Sequence, residues 1–258
     1  MADDLNIQYV EGLDRGLSYA ESCFETFRVL DGSIFAWDYH WQRLQQGLQC
    51  FGIVLTNQQQ ILQQCLNAAK DKSADCLVRL TVSGGDAPWG LKQQAIPKIF
   101  IQSLPFQAKK AEVHLQSVEY PFPLMPKLAK FTSDYALTLR ASQKWNLDGA
   151  NTALVYKDGM VLGGITANIA LFVDDQWLTP EGEGILAGTV RHFLVEQGLI
   201  QAQVCPVSLL EQTQAALLLN SGAFVQVAHS INGKTLDTSH PSTADLQHIL
   251  QKQQGVRL

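Results

Sequence analysis

Apolar and polar positions along this chain follow two periods. "CFETFRVLDGSIFAWD" reads as two strands around Asp31-Gly32, a dipeptide suited to a tight hairpin. The spacing then turns helical. Asp38 is placed to cap a helix through "YHWQRLQQGLQCFG", with Leu44, Leu48 and Phe51 on one face and Gly52 as its stop. A second helix is predicted from near Thr56, with Ile61, Leu62, Cys65, Leu66 and Ala69 at helical spacing. Two strands follow, "CLVRLTVSG" and "PKIFIQSL". The long Gly-rich loop between them, "GGDAPWGLKQQAI", is placed to lie over a site.

Around "PFQAKKAE" the composition turns polar and charged, which marks a domain boundary. Beyond it, "EVHLQSVEYPF" alternates like a half-buried strand, and "PFPLMPKLAKFT" is a Pro-broken loop. Ser133 is placed to cap a helix through "DYALTLRASQKWN" that ends at the Asp148-Gly149 turn. A hairpin about Asp158-Gly159, the strand pair "NIALFVDDQWLTP" and the helix "GTVRHFLVEQG" come next. They are followed by the strands "AALLLN" and "AFVQVAHSI", an Asn232-Gly233 turn, and a helix capped near Ser242 or Thr243. The Gln clusters "NQQQILQQ" and "QKQQG" read as solvated helix surface. Strands dominate this part without regular βαβ alternation. The expected fold class is α+β in two domains: a small two-layer α/β domain over 1–107 and a larger α+β barrel-like domain over 108–258.

Composition narrows the function. Of 258 residues, 46% are hydrophobic and 17% charged, as in an ordinary globular protein. A formal net charge of −5 without basic runs argues against nucleic acid, and no apolar stretch approaches a membrane span. The acidic start, "MADDLNIQYVEG", lacks a signal-peptide core, so a cytoplasmic protein is expected. Cys23, Cys50, Cys65, Cys76 and Cys205 form no CxxC pair and read as reduced, mostly buried thiols. The six His residues show no metal spacing, and no nucleotide-binding Gly pattern, HExxH or Gly-x-Ser-x-Gly elbow is present.

Candidate chemistry sits in three places. "GILAGTVRHF" opens a helix, so the backbone N–H groups of Thr189 and Val190 and the helix dipole form a seat for an anion; plain N-capping would use the same geometry. Lys130 stands among small and apolar residues before a helix, where burial would lower its pKa and free the amine for covalent work; Lys127 competes for that role. Arg43, in "HWQRL", is either an exposed helix Arg or a bidentate phosphate grip. Asn168, in "GITANI", is either turn chemistry or an amide facing a ligand.

The order of these segments resembles the class IV aminotransferases, the fold-type IV pyridoxal-phosphate enzymes, over nearly the whole chain. "YAESCFETFRVLDGSIFAWDYHWQRLQQGLQCFGI" is similar to the family's opening hairpin and His-x-x-Arg-Leu helix. "KFTSDYALTLRAS" is similar to its lysine block, "DGMVLGGITANI" to the following block, and "GILAGTVR" to its phosphate block. The resemblance implies pyridoxal 5′-phosphate as cofactor and Lys130 as the Schiff-base lysine. It also implies a phosphate held by Arg43 and the Thr189 and Val190 amides, Asn168 near the cofactor, and a homodimer acting on a small molecule.

Four departures stand out. Gly163 occupies the place of the acid that bonds the pyridine nitrogen, which weakens the cofactor as an electron sink. Val190 replaces the phosphate-block Thr, with Thr189 beside it. The opening Gly-Asp-Gly reads Ala20-Glu21-Ser22, and the family's Arg-Gly after the third strand reads Gly84-Gly85. The length and the ending "LLLNSGAFVQVAHSINGKTLD" look most like the aminodeoxychorismate lyases of folate biosynthesis, which form 4-aminobenzoate and pyruvate. A branched-chain or D-amino acid transaminase, and a non-catalytic relative suggested by Gly163, are the alternatives. Arg79 or Arg140 would be the transaminase's second cation.

Overall fold

The hairpin about Asp31-Gly32 begins a four-stranded antiparallel sheet in the order Ser33–Ile34, Ser22–Leu30, Asp75–Ser83, Lys98–Pro105. Both turn residues have positive φ, 48° and 73°, as a two-residue hairpin requires. The structure, a computed structural model, describes residues 13–252 except 71, 93, 94, 109 and 110. The acidic start of the chain, Lys109 and Lys110 of the "PFQAKKAE" stretch, and much of "QKQQG" lie outside those residues.

Helices Trp37–Gln49 and Gln58–Lys70 pack on this sheet. Alternate strand residues (Cys76, Val78, Leu80 and Val82; Cys23, Phe27 and Val29) meet Leu44, Leu48, Ile61, Cys65 and Ala69 in one core. Glu25 falls in the same alternation as Cys23, Phe27 and Val29, so the strand period carries a carboxylate into this layer. On the facing helix the buried stripe includes His40 and Arg43 beside Leu44, Gly47 and Leu48. These polar groups enter the site below.

The second sheet has nine strands. Eight run in the order Gln201–Gln203, Gln176–Pro180, Asn168–Val173, Ala215–Asn220, Phe224–Ile231, Val113–Glu119, Thr152–Lys157, Met160–Gly164, and Lys234–Thr235 pairs with Phe224–Ile231. The sheet curls back on itself: Val161 donates to the carbonyl of Cys205, and Met160 bridges Pro206, so the last strand reaches the chain leaving the first. Leu115, Leu154, Ile169, Leu171, Leu218 and Ile231 belong to the core of one face; the other is covered by helices Thr189–Glu196 and Pro241–Lys252. Val113–Glu119 and Thr152–Lys157 are parallel neighbours joined across helix Thr132–Ser142, one crossover unit in an otherwise mainly antiparallel sheet.

Three caps differ from expectation. Ala36, at φ 54°, flanks the first long helix, so Asp38 lies inside its first turn, where its charge still suits the helix dipole. Helix Thr132–Ser142 begins before Ser133, because the Thr132 hydroxyl is engaged at Ser22 and Ala20. The last helix begins at Pro241, whose fixed φ suits the first helical position, and this places Ser242 and Thr243 within its first turn. The Gly-rich loop after Ser83 is held by buried Arg15, which donates to the carbonyls of Gly90 at 2.8 Å and Leu91 at 3.2 Å, and its described residues do not line the cavity described below. The five thiols are free; Cys50 is exposed and the others are buried. Among the described residues, no helix is long and apolar enough to cross a membrane.

Candidate active site

A single cavity gathers Arg43, Lys130, Gly163, Asn168 and Thr189, residues that lie far apart in sequence. Lys130 is held in place by its backbone. Phe24 N–H donates to its carbonyl at 3.0 Å, and Cys23 bridges Phe131, so the Ser22–Leu30 strand fixes the segment entering helix Thr132–Ser142. Its Nζ lies 5.7 Å from the centre of the Phe24 ring, and the residue lines the cavity. Burial brings its pKa from an ordinary 10.5 down to about 8; Glu25 opposes the shift, while Arg43 and Arg79 add to it. Lys127 lines the same cavity from the exposed loop at its mouth. Burial lowers its pKa too, opposed by Asp134. Among the described residues, no backbone bond comparable to that of Lys130 anchors it.

Arg43 is not a free cation. Its Nε donates to Glu25 Oε1 at 2.8 Å and Nη2 to Glu25 Oε2 at 2.7 Å, a bidentate fork. Nη1 donates to the carbonyl of Ala187 at 2.6 Å. The two remaining N–H bonds of the guanidinium are uncommitted to protein, and the residue reaches the cavity wall. His40 Nδ1 lies 2.7 Å from Glu25 Oε2. Burial would raise the Glu25 carboxyl, but the pairing with Arg43 and the hydrogen bond from His40 bring it down to about 2. Burial holds His40 below its ordinary value, with Glu25 opposing, so the ring is neutral and Nδ1–H donates to the carboxylate.

The anion seat lies at the turn from Leu186 to Val190. Asn168 begins its strand here, and its Nδ2 donates to the Leu186 carbonyl at 2.9 Å. Gly188 N–H turns back to the same carbonyl at 2.8 Å, and the helix starts at Thr189. A Cβ on Gly188 would stand 1.9 Å from Asn168 Oδ1, so only glycine lets this amide close over the turn. Thr189 lines the cavity, and its Oγ1 is buried with no hydrogen-bond partner among the described residues. The Thr189 and Val190 amides occupy the first two helical positions, which have no intrahelical acceptor. The Val190 side chain itself is 1% exposed and packs in the core.

Gly163 pairs with Val155 while Tyr156 pairs with Val161, so Leu162 and Gly163 form a bulge in the cavity wall. Gly163 has φ 144° and a Cβ there would lie 3.0 Å from the Ala167 carbonyl. Leu162, Val155 and Trp145 make this wall apolar, and Asp134, Tyr120 and Tyr135 line the cavity from the adjoining helix and strand. Burial raises the Asp134 carboxyl, with Lys127 opposing, and raises the Tyr135 hydroxyl, with Arg79 and Arg43 opposing. Arg79 stacks on Phe24 at 3.6 Å; Arg140 stacks on Phe122 at 5.3 Å. Neither lines the cavity wall. Sequence reasoning passed over Glu25, whose signal was a lone acid in the apolar alternation of "CFETF", and Asp134 and Tyr135, which look like ordinary first-turn helix residues.

Residues 22–231 match the family model "Amino-transferase class IV". Over 202 residues the chain is 29% identical to an aminodeoxychorismate lyase of Bacillus subtilis, a stretch that is 71% of this chain and 66% of that protein, just under two thirds of the relative's length. The 4-amino-4-deoxychorismate lyase of Pseudomonas aeruginosa superposes with a TM-score of 0.76 at 21% identity, over 98% of this chain and 95% of that one. The branched-chain amino acid aminotransferase of Escherichia coli gives 0.81 at 18% identity, over 93% and 87%. These structures share the mixed α+β fold, and their identities carry no more than that. The chain belongs to the class IV aminotransferases, a family of pyridoxal-phosphate-dependent enzymes.

Proposed function

We propose that this chain holds pyridoxal 5′-phosphate on Lys130 and releases pyruvate from 4-amino-4-deoxychorismate to leave 4-aminobenzoate, a step of folate synthesis. The residues present fit the cofactor's anionic tail. The buried Thr189 hydroxyl lacks a partner, two helix-start amides lack acceptors, and Arg43 keeps two N–H donors uncommitted. The single observation that carries the reading is an amine of lowered pKa and an unpartnered anion seat in one cavity.

When bound, the cofactor supplies an aldehyde that a lysine amine can hold covalently and a conjugated ring that draws electrons from the substrate. The chain's own contribution is positioning and proton handling. Lys130 Nζ, with a pKa of about 8, can accept a proton and return it near neutral pH. About a tenth of the amine is uncharged at pH 7, against well under a thousandth for an ordinary lysine. Thr189, Val190 and Arg43 would hold the phosphate. Asn168 would act by bracing the turn, since its Nδ2 is committed to Leu186. The apolar wall at Leu162 and Gly163 offers the ring nitrogen no acid from its own strand. Lyase chemistry tolerates this better than transamination does, because formation of the aromatic ring drives the elimination.

The reading extends to organisation. The chain would act in the cytoplasm as two domains, divided at 107/108, and as a homodimer. Trp89, Leu91 and Ile96, which are 89%, 80% and 88% exposed, support burial against a second copy. Incubation with pyridoxal phosphate and 4-amino-4-deoxychorismate should give 4-aminobenzoate and pyruvate in equal amounts. Conversion of the cofactor to its amine form by branched-chain or D-amino acids, with no 4-aminobenzoate formed, would replace the lyase with a transaminase.

A further inference from the structure

The polar groups between sheet and helix form a unit that the proposed reaction does not use directly. Glu25, His40 and Arg43 are 1%, 0% and 5% exposed, and Glu25 accepts from both partners. Arg43 then crosses 144 residues of sequence to the Ala187 carbonyl, one residue before Gly188. A buried carboxylate of this kind is costly unless every oxygen is bonded, and here both are. Packing alone would be served as well by an apolar residue, which is what the other members of this strand face are.

We propose that Glu25 is a positioning residue with two outputs: through Arg43 it fixes the turn that seats an anion, and through space it holds the charge balance of the Lys130 amine. The first output follows from geometry. With both oxygens of Glu25 gripping Nε and Nη2, the guanidinium cannot rotate, so Nη1 stays on Ala187. The second has its geometry in the same strand: Phe24, next to Glu25, donates to the Lys130 carbonyl at 3.0 Å and carries its ring 5.7 Å from Nζ, and Arg43, gripped by Glu25, lines the cavity with Lys130. Glu25 on the strand favours its protonated form, whereas Arg43 on the helix and Arg79 on the neighbouring strand disfavour it. Asp134 and Tyr135 face the same cavity from the following helix and Lys127 from the preceding loop; the neutral His40 contributes no charge. Removing the carboxylate leaves two cations unopposed, so the amine would lose its proton more readily.

This role rests on the proposed function only for why the amine matters, so the test is made on cofactor-free protein. Acetylation of Lys130 by acetic anhydride, followed site by site by mass spectrometry across pH, gives the midpoint of the amine. For Glu25→Gln the midpoint should fall, with Lys130 reacting about fivefold faster at pH 7, as loss of one neighbouring opposite charge implies. Glu25→Asp should restore much of the wild-type profile. Inorganic phosphate should bind Glu25→Gln about tenfold more weakly, as release of the Arg43 clamp implies. A melting temperature that drops while the Lys130 midpoint stays put would reduce Glu25 to a structural residue and overturn the proposal. If Glu25→Gln does not fold, carboxyl 13C NMR of wild-type protein decides. Glu25 should remain ionised throughout the pH range of the folded state, and titration between pH 4 and 6 would overturn the assignment. Neither readout needs pyridoxal phosphate or turnover, so failure of the lyase reading would leave these outcomes unchanged.

Discussion

Asn168 Oδ1 lies over the α-carbon of Gly188, 1.9 Å from where a Cβ would stand, while its Nδ2 holds the Leu186 carbonyl at 2.9 Å. The amide cannot swing away without breaking that bond. Gly188→Ala should therefore cost about 1–3 kcal/mol of stability and loosen the anion seat. Pyridoxal phosphate titrated into this variant should bind about tenfold more weakly or worse. Thermal melts should show part of the loss restored by Asn168→Ala in the same chain, since the clash is then gone.

Thr189 gives a prediction of opposite signs. Its buried hydroxyl has no partner, so the near-isosteric Thr189→Val should leave cofactor-free protein as stable as wild type, or up to about 1 kcal/mol more stable. Affinity for pyridoxal phosphate should fall by about five- to tenfold, the value of one hydrogen bond to a charged acceptor. Denaturant unfolding and cofactor titration read the two effects separately.

Lys130 makes stability depend on pH. Its folded pKa of about 8 lies below the ordinary 10.5, so between those values the unfolded chain binds the extra proton. The cofactor-free protein should therefore gain stability as pH rises through 8, because the cost of burying the charge is then relieved. Lys130→Met should lose this component of the pH dependence. Chemical denaturation of both proteins from pH 7 to 10 measures it.

Gly163 should resist restoration of an acid. At φ 144°, with the Ala167 carbonyl 3.0 Å from a Cβ, Gly163→Glu is strained by about 1–3 kcal/mol, and the bulge already turns Leu162 to the cavity. Turnover of 4-amino-4-deoxychorismate should stay within about tenfold of wild type. A rise of several orders of magnitude would mean that the missing acid, not the fold, limits the chain.

Much of this was legible in the sequence because it is local. The Asp31-Gly32, Asp158-Gly159 and Asn232-Gly233 turns are written in residues that accept positive φ, and all three adopt it. The Lys130, Asn168 and Thr189 segments carry recognisable local patterns, and the cavity brings them together. What escaped depends on contacts distant in sequence. Arg43 reads as a free cation until Glu25, 18 residues earlier, is seen to grip it, and nothing in the loop after Ser83 marks Arg15, 75 residues before Gly90, as the residue that holds it. The bulge at Leu162–Gly163 exists only in the register with Val155 and Tyr156. Three helices start two to three residues before the starts implied by caps at Asp38, Ser133 and Ser242 or Thr243, two of them where Pro241 and the engaged Thr132 hydroxyl outweigh the Ser and Thr signals.

The central claim is that one amine, that of Lys130, carries the cofactor. Protein saturated with pyridoxal phosphate, reduced with borohydride and digested should show the phosphopyridoxyl mass on the peptide containing Lys130, and Lys130→Met should abolish it. An adduct on Lys127 instead, or none at saturation, would contradict the account.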